Sequence, residues 1–115
     1  MCHGDFHPGN VMLSDRGPMI IDWVDACRGN PLADVARTSI LFLGHINHAS
    51  GQEKEAAKLF HDVYLDRYFA GAKDGRTEYR RWLPVVAAAR LSEGIVEQQD
   101  WLLDQVRIGI ANCDT

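Results

Sequence analysis

A Pro8-Gly9 pair sits inside the run His3-Gly4-Asp5-Phe6-His7-Pro8-Gly9-Asn10, and two short apolar runs, Val11-Met12-Leu13 and Met19-Ile20-Ile21, follow it. This arrangement constrains the fold more than any other part of the chain. Proline followed by glycine forbids a regular helix and suits a tight turn, so residues 3–10 read as a loop. Ser14-Asp15-Arg16-Gly17-Pro18 separates the apolar runs and predicts a β-hairpin with a five-residue connection. Such a hairpin brings Asn10, before its first strand, near Asp22, after its second.

Phosphoryl transfer uses the side chains gathered this way. A carboxylate must orient or accept the proton of an attacking hydroxyl, and hard oxygen ligands must hold Mg2+ against nucleotide phosphates. Asp5 is the candidate catalytic carboxylate, and Asn10 and Asp22 are the candidate metal pair. The plainer readings are an Asp capping its own turn, a turn Asn after Gly9 and a strand-end Asp. His3 and His7 have His-x-x-x-His spacing, which binds zinc when both rings share a helical face. Pro8-Gly9 argues against that helix, and no Cys or carboxylate stands at zinc-ligand spacing.

The loop resembles the catalytic loop of the aminoglycoside phosphotransferase and choline kinase-like family. That family's pattern is H-G-D-x-H-x-x-N, then a hydrophobic strand, then I-D-W/F. The match runs through His3, Gly4, Asp5, His7, Asn10, Ile21, Asp22 and Trp23, and continues through Asp25-Ala26. Gly29-Asn30-Pro31-Leu32-Ala33-Asp34-Val35-Ala36 is similar to the family's G-D-P-x-x-D-L-A segment, with Asn30 where an Asp is usual. The resemblance is concentrated in residues 1–40 and rests on helical pattern beyond them.

The resemblance implies an α+β, mainly α fold: the C-terminal lobe of a protein-kinase-like fold, with the catalytic loop and a short β-hairpin followed by about four helices. It implies transfer of the γ-phosphate of ATP or GTP, with Mg2+, to the hydroxyl of a small-molecule acceptor. Asp5 would orient and deprotonate that hydroxyl, and Asn10 and Asp22 would hold the metal. His3 braces the loop. His7 does likewise or lines the site. Asp25 lies near the phosphates and acceptor, or is an exposed loop acid. Asp34 bonds back to the loop. Aminoglycosides, choline, sugars, amino alcohols and macrolides all fit as acceptors.

In that family a nucleotide-binding lobe precedes the loop and supplies a strand lysine and a phosphate-covering loop. The chain has no G-x-G-x-x-G and no G-x-x-x-x-G-K. Its lysines are Lys54 and Lys58, on a helical face with i,i+4 charge pairs, and Lys73, in a turn. Residues 1–115 are therefore expected to form one domain, the substrate-side lobe without its nucleotide-binding partner, and to be a poor enzyme in isolation. An apolar face left by that missing lobe predicts self-association. The rival expectation is a non-catalytic truncated remnant or helical interaction module.

Beyond the hairpin, Asn30 is a suitable N-cap and Pro31 a suitable first helical residue. Leu32, Val35, Ala36, Ile40 and Leu43 give that helix its apolar stripe, and Gly44 is its expected stop, followed by a polar connection from residue 45 to 49. Ser50 and Glu53 form a capping-box signature for a second helix, which is expected to bury Ala56, Leu59, Phe60, Val63 and Phe69 and to end near Gly71. A third helix starts at Thr77, with Trp82, Leu83, Val86, Ala89 and Leu91 inward and a kink or late start at Pro84. Gly94 interrupts, and a last helix spans about residues 97–110, burying Trp101, Leu102 and Val106. His45, His48 and His61 share no motif and are expected on surfaces. Asp62, Asp66, Glu93, Glu97, Asp100 and Asp104 offer a cationic acceptor binding groups, or form solvated faces.

A formal charge of −4 weighs against nucleic acid as a partner, and Tyr79-Arg80-Arg81-Trp82 is the one basic, aromatic cluster. Cys2, Cys27 and Cys113 make an odd, unpaired set that fits a reducing compartment. No charged-then-apolar leader stands at the N-terminus. The apolar run Ile40-Leu41-Phe42-Leu43 is too short to span a bilayer. These features predict a cytoplasmic protein with no membrane partner.

Overall fold

The computed structural model describes residues 2–21, 29–70 and 75–112, so Asp22 and Asp25 lie outside the described residues. Within them the chain is mainly helical, with one two-stranded antiparallel sheet. Strand β1 (Val11–Ser14) pairs with β2 (Gly17–Ile20) in the register Val11↔Ile20 to Ser14↔Gly17. The connection is therefore Asp15-Arg16, two residues and not the expected five. Ser14 Oγ accepts from the Arg16 amide at 3.3 Å and donates to the Gly17 carbonyl at 2.7 Å, which closes the turn early. Gly17 takes φ +104°, a conformation that a side chain would strain. Met12, Leu13, Met19 and Ile20 all stay exposed, Leu13 by 87%.

Helix α1 (Pro31–His48) starts as the sequence predicts: the Asn30 side chain accepts from the Leu32 amide at 2.9 Å, and Pro31 needs no donor partner at that position. Val35, Ala36 and Ile40 are buried. Gly44 does not stop the helix. It is buried mid-helix, where an added β-carbon would meet the Gln98 amide oxygen at 2.9 Å. The glycine serves close packing, and His45 to His48 form the last helical turn, not a connection.

Helix α2 (Gly51–Phe69) follows Ser50, but Ser50 makes no side-chain cap. Glu53 instead meets His45 Nε2 at 3.1 Å. The buried face of α2 is Ala57, His61 and Phe69, with Tyr64 and Leu65 half-buried. Ala56 is exposed, as are Leu59 at 65%, Phe60 at 58% and Val63 at 46%. The expected face is rotated because His61, Tyr64 and Tyr79 take the inner positions through hydrogen bonds and ring contacts. Ser39 Oγ accepts from the Tyr79 hydroxyl at 2.7 Å and lies 3.0 Å from His61 Nε2. His61 is thus a core residue and not a surface one. Burial lowers its pKa, against a smaller opposing effect of Asp62.

Helix α3 (Gly75–Arg90) runs through Pro84 without a break and begins two residues before Thr77. Tyr79 and Ala87 are buried and Ala89 is exposed. Two 3₁₀ turns, Leu91–Glu93 and Val96–Gln98, flank Gly94 at φ +69° and lead into α4 (Gln99–Ala111). Leu102 is fully buried; Trp101 and Val106 are half-buried. The backbone of Gly109 lies so close to Pro84 that a β-carbon there would come within 2.3 Å of it. Helix α3 is the centre of the fold, packed on α1 on one side and α4 on the other, while α2 lies against α1. One core cluster joins Val35, Ala36, Phe69 and Tyr79, and a second joins Ile40, Ala87 and Leu102. No described helix is long and apolar enough to cross a membrane.

Candidate functional site

The loop of residues 3–10 is fastened to the first turn of α1. Both Asp34 carboxylate oxygens are used: Oδ2 accepts from the His3 amide at 3.0 Å and Oδ1 from the Gly4 amide at 2.8 Å. A carboxylate in the first helical turn is also favoured by the helix dipole. One turn further along α1, Arg37 Nε donates to the Gly4 carbonyl at 3.0 Å. Main-chain groups on both sides of Gly4 are thereby held by one helical face.

His3 is buried, at 4% exposure, and ties the loop to the hairpin. Its Nδ1 accepts from the Asp5 amide at 3.1 Å, so Nε2 carries the proton and donates to the Ile21 carbonyl at 2.8 Å. The Ile21 amide donates to the Asn10 carbonyl at 2.8 Å, which extends the hairpin pairing by one step. The structure thus holds Asn10 opposite Ile21, the residue that precedes Asp22.

Asn10 is buried at the end of a 3₁₀ turn, Pro8–Asn10, which His7 caps by accepting from the Gly9 amide. Its amide nitrogen donates to the Asp5 carbonyl at 2.8 Å and meets Asp5 Oδ2 at 3.3 Å. With the nitrogen engaged, Oδ1 is the atom Asn10 has left to offer. His7 Nδ1 lies 3.1 Å from the Gly9 amide, and its Nε2 lies 3.2 Å from the Asn10 side-chain nitrogen and 3.7 Å from Asp5 Oδ1. The Asp5 carboxylate remains 29% exposed and reachable from solvent.

Behind the loop stands a network that sequence reasoning missed. Arg37 Nη2 meets Glu93 Oε1 at 2.6 Å, Arg90 Nη1 meets Glu93 Oε2 at 2.5 Å, and Arg90 Nε donates to Gln98 Oε1 at 3.3 Å. Burial lowers the Arg90 pKa, and Glu93 opposes the shift. Glu93 is therefore spent on two arginines and is not open to a cationic acceptor. Asp66 and Asp104 are likewise paired, with Arg76 and Arg107. Arg37 was legible in principle, since it falls one helical turn after Asp34 on the same face. Nothing in the sequence pointed to Arg90.

A cleft of about 550 Å³ opens beside the loop, lined by His7 and Pro8, by Leu41, Phe42, His45 and His48 of α1, by Glu53, Ala56, Ala57 and Phe60 of α2, and by Arg90 and Gln98. A smaller one of about 360 Å³ adjoins it, lined by Phe6, Pro8, Val11, Phe42, Phe60, Val63 and Tyr64. Burial pushes the Tyr64 hydroxyl up to about 12, so this wall is neutral. Among the described residues no three His, Cys, Asp or Glu side chains converge as a metal site.

Residues 1–84 match the profile of the phosphotransferase enzyme family, and the chain belongs to that family. No curated protein and no solved structure matches it significantly.

Proposed function

We propose that the chain carries the catalytic loop of a small-molecule kinase, the C-terminal lobe of a kinase-like fold. It moves the γ-phosphate of ATP or GTP to an acceptor hydroxyl. The observation that carries this reading is the hydrogen bonding of the Asn10 amide nitrogen to Asp5, which ties the two side chains together at a loop where the Asp5 carboxylate is reachable from solvent. Asp5 orients the acceptor hydroxyl and takes its proton late in the transfer, a task for an ionised carboxylate. Asp34 and Arg37 hold the main chain on either side of Gly4, so the Asp5 carboxylate is presented without a reorganisation cost.

The donor set suits magnesium. Asn10 Oδ1 and the Asp22 carboxylate are hard oxygen ligands, and these two residues would hold the ion. Bound there, Mg2+ would neutralise the charge of the nucleotide phosphates. The test is calorimetric titration of the chain with nucleotide and Mg2+, beside Asp22→Asn and Asn10→Ala. Metal-dependent binding that either substitution weakens at least about tenfold supports the reading. Equal binding by all three chains contradicts it.

A second reading, a non-catalytic remnant or helical interaction module, draws on one observation. Lys54 and Lys58 lie on α2, and the described strands hold no lysine to reach nucleotide phosphates. Nucleotide binding by the unsubstituted chain would exclude it.

A further inference from the structure

The larger cleft carries a statement about the acceptor. His7 lines it while its Nε2 stands 3.7 Å from Asp5 Oδ1, so the cleft opens one side chain away from the candidate catalytic carboxylate. Its floor is apolar: Leu41 and Phe42 from α1, Ala57 and Phe60 from α2. Phe60 is 58% exposed on that wall, and such an aromatic face suits a flat or apolar ligand surface. Its charges do not suit a polycation. Among the described lining residues the acid is Glu53, already 3.1 Å from His45, and the fixed cation is Arg90. Of the sequence's acidic candidates, Glu93, Asp66 and Asp104 are engaged with arginines and none of the six lines the cleft.

We infer that the acceptor is an electroneutral hydroxyl compound with an apolar or aromatic face, such as a glycoside of an apolar alcohol, seated on Phe42 and Phe60. This rests on the phosphotransferase reading and narrows it. A polycation would meet Arg90 across the same space and lose affinity through like-charge opposition, whereas a neutral polyol can bond to the imidazoles and to Gln98.

The test is a nuclear magnetic resonance titration of the full chain with para-nitrophenyl glucoside, and in parallel with kanamycin as the polycationic probe. Mg2+–nucleotide is titrated into the same samples. The glucoside is expected to shift amide signals of Leu41, Phe42, Ala57 and Phe60 and to bind about tenfold more tightly than kanamycin. Phe60→Ala, an exposed change that leaves the fold intact, should cut glucoside affinity about fivefold through lost apolar contact. Ala56→Glu adds a carboxylate to the wall and should raise kanamycin affinity. Kanamycin binding the cleft as tightly as the glucoside, glucoside shifts outside the cleft or none, or indifference to Phe60→Ala would each overturn the inference. Nucleotide binding that persists in such a case leaves the phosphotransferase reading standing. Loss of nucleotide binding with glucoside binding intact removes that reading instead.

Discussion

The loop of residues 3–10 and helix α2 lie on the same side of α1, yet they are held by opposite means. The loop is fixed by polar groups that each have one geometric solution: Asp34 on two amides, His3 between Asp5 and Ile21, Asn10 on Asp5. Helix α2 is held by a narrow face of Ala57, His61 and Phe69, while Leu59, Phe60 and Val63 point to solvent or line clefts. Specific hydrogen bonds make a region rigid and recognisable. A shallow apolar seam leaves a helix whose orientation is decided by its neighbours.

The sharpest way to break this contrast is Asp34→Ala. It removes the two charge-assisted bonds that the His3 and Gly4 amides make to the Asp34 carboxylate, and should cost about 3 kcal/mol of stability in chemical denaturation. It should also abolish nucleotide binding. A cost below about 1 kcal/mol would show that the loop is held by other contacts. Gly109→Ala probes the packing of α4 on α3, the helix against which α1 rests. Its β-carbon would fall 2.3 Å from Pro84, forcing α3 and α4 apart at about 2 kcal/mol, measured by the same unfolding curves.

The seam under α2 has its own signature in pH. Burial lowers the folded-state pKa of His61 below its ordinary 6.5, so the unfolded chain binds the proton first as pH falls. The contribution of this residue is fully present above pH 6.5 and is lost as pH drops from there through the lowered folded-state value. Unfolding curves between pH 7 and pH 5 should show the chain losing more stability than its His61→Gln variant; parallel losses would contradict the burial of His61. The smallest effect is expected at Leu59→Ser. At 65% exposure it should stay within about 0.5 kcal/mol, whereas a core leucine truncated to a small residue would cost several times more.

The same contrast explains what the sequence made legible. The loop, its hairpin and the Asn30-Pro31 start of α1 were readable because each rests on local chemistry: proline and glycine geometry, an Asx cap, carboxylate and amide spacing. The roles of Asp34 and His3 entered only as implications of resemblance, and the structure supplies their hydrogen bonds. The register of α2 was not readable. Its apolar residues cover more than one face, and the polar His61 takes an inner position because Ser39 and Tyr79, from two other helices, are there to meet it. Gly44 looked like a helix stop because the side chain packed against it, Gln98, is distant in sequence. The pairing of Glu93 with Arg37 gave no signal for the same reason: Arg37 is a tertiary neighbour.

The proposed function stands or falls on whether the loop holds a metal–nucleotide complex at Asn10. Manganese, a paramagnetic substitute for magnesium, tests it directly in a nuclear magnetic resonance titration with nucleotide present. The Asn10 side-chain amide and the Asp5 and Gly9 backbone signals are expected to broaden first, with excess Mg2+ restoring them. Broadening that begins at His45 and His48 on the cleft rim, with Asn10 untouched, would contradict it.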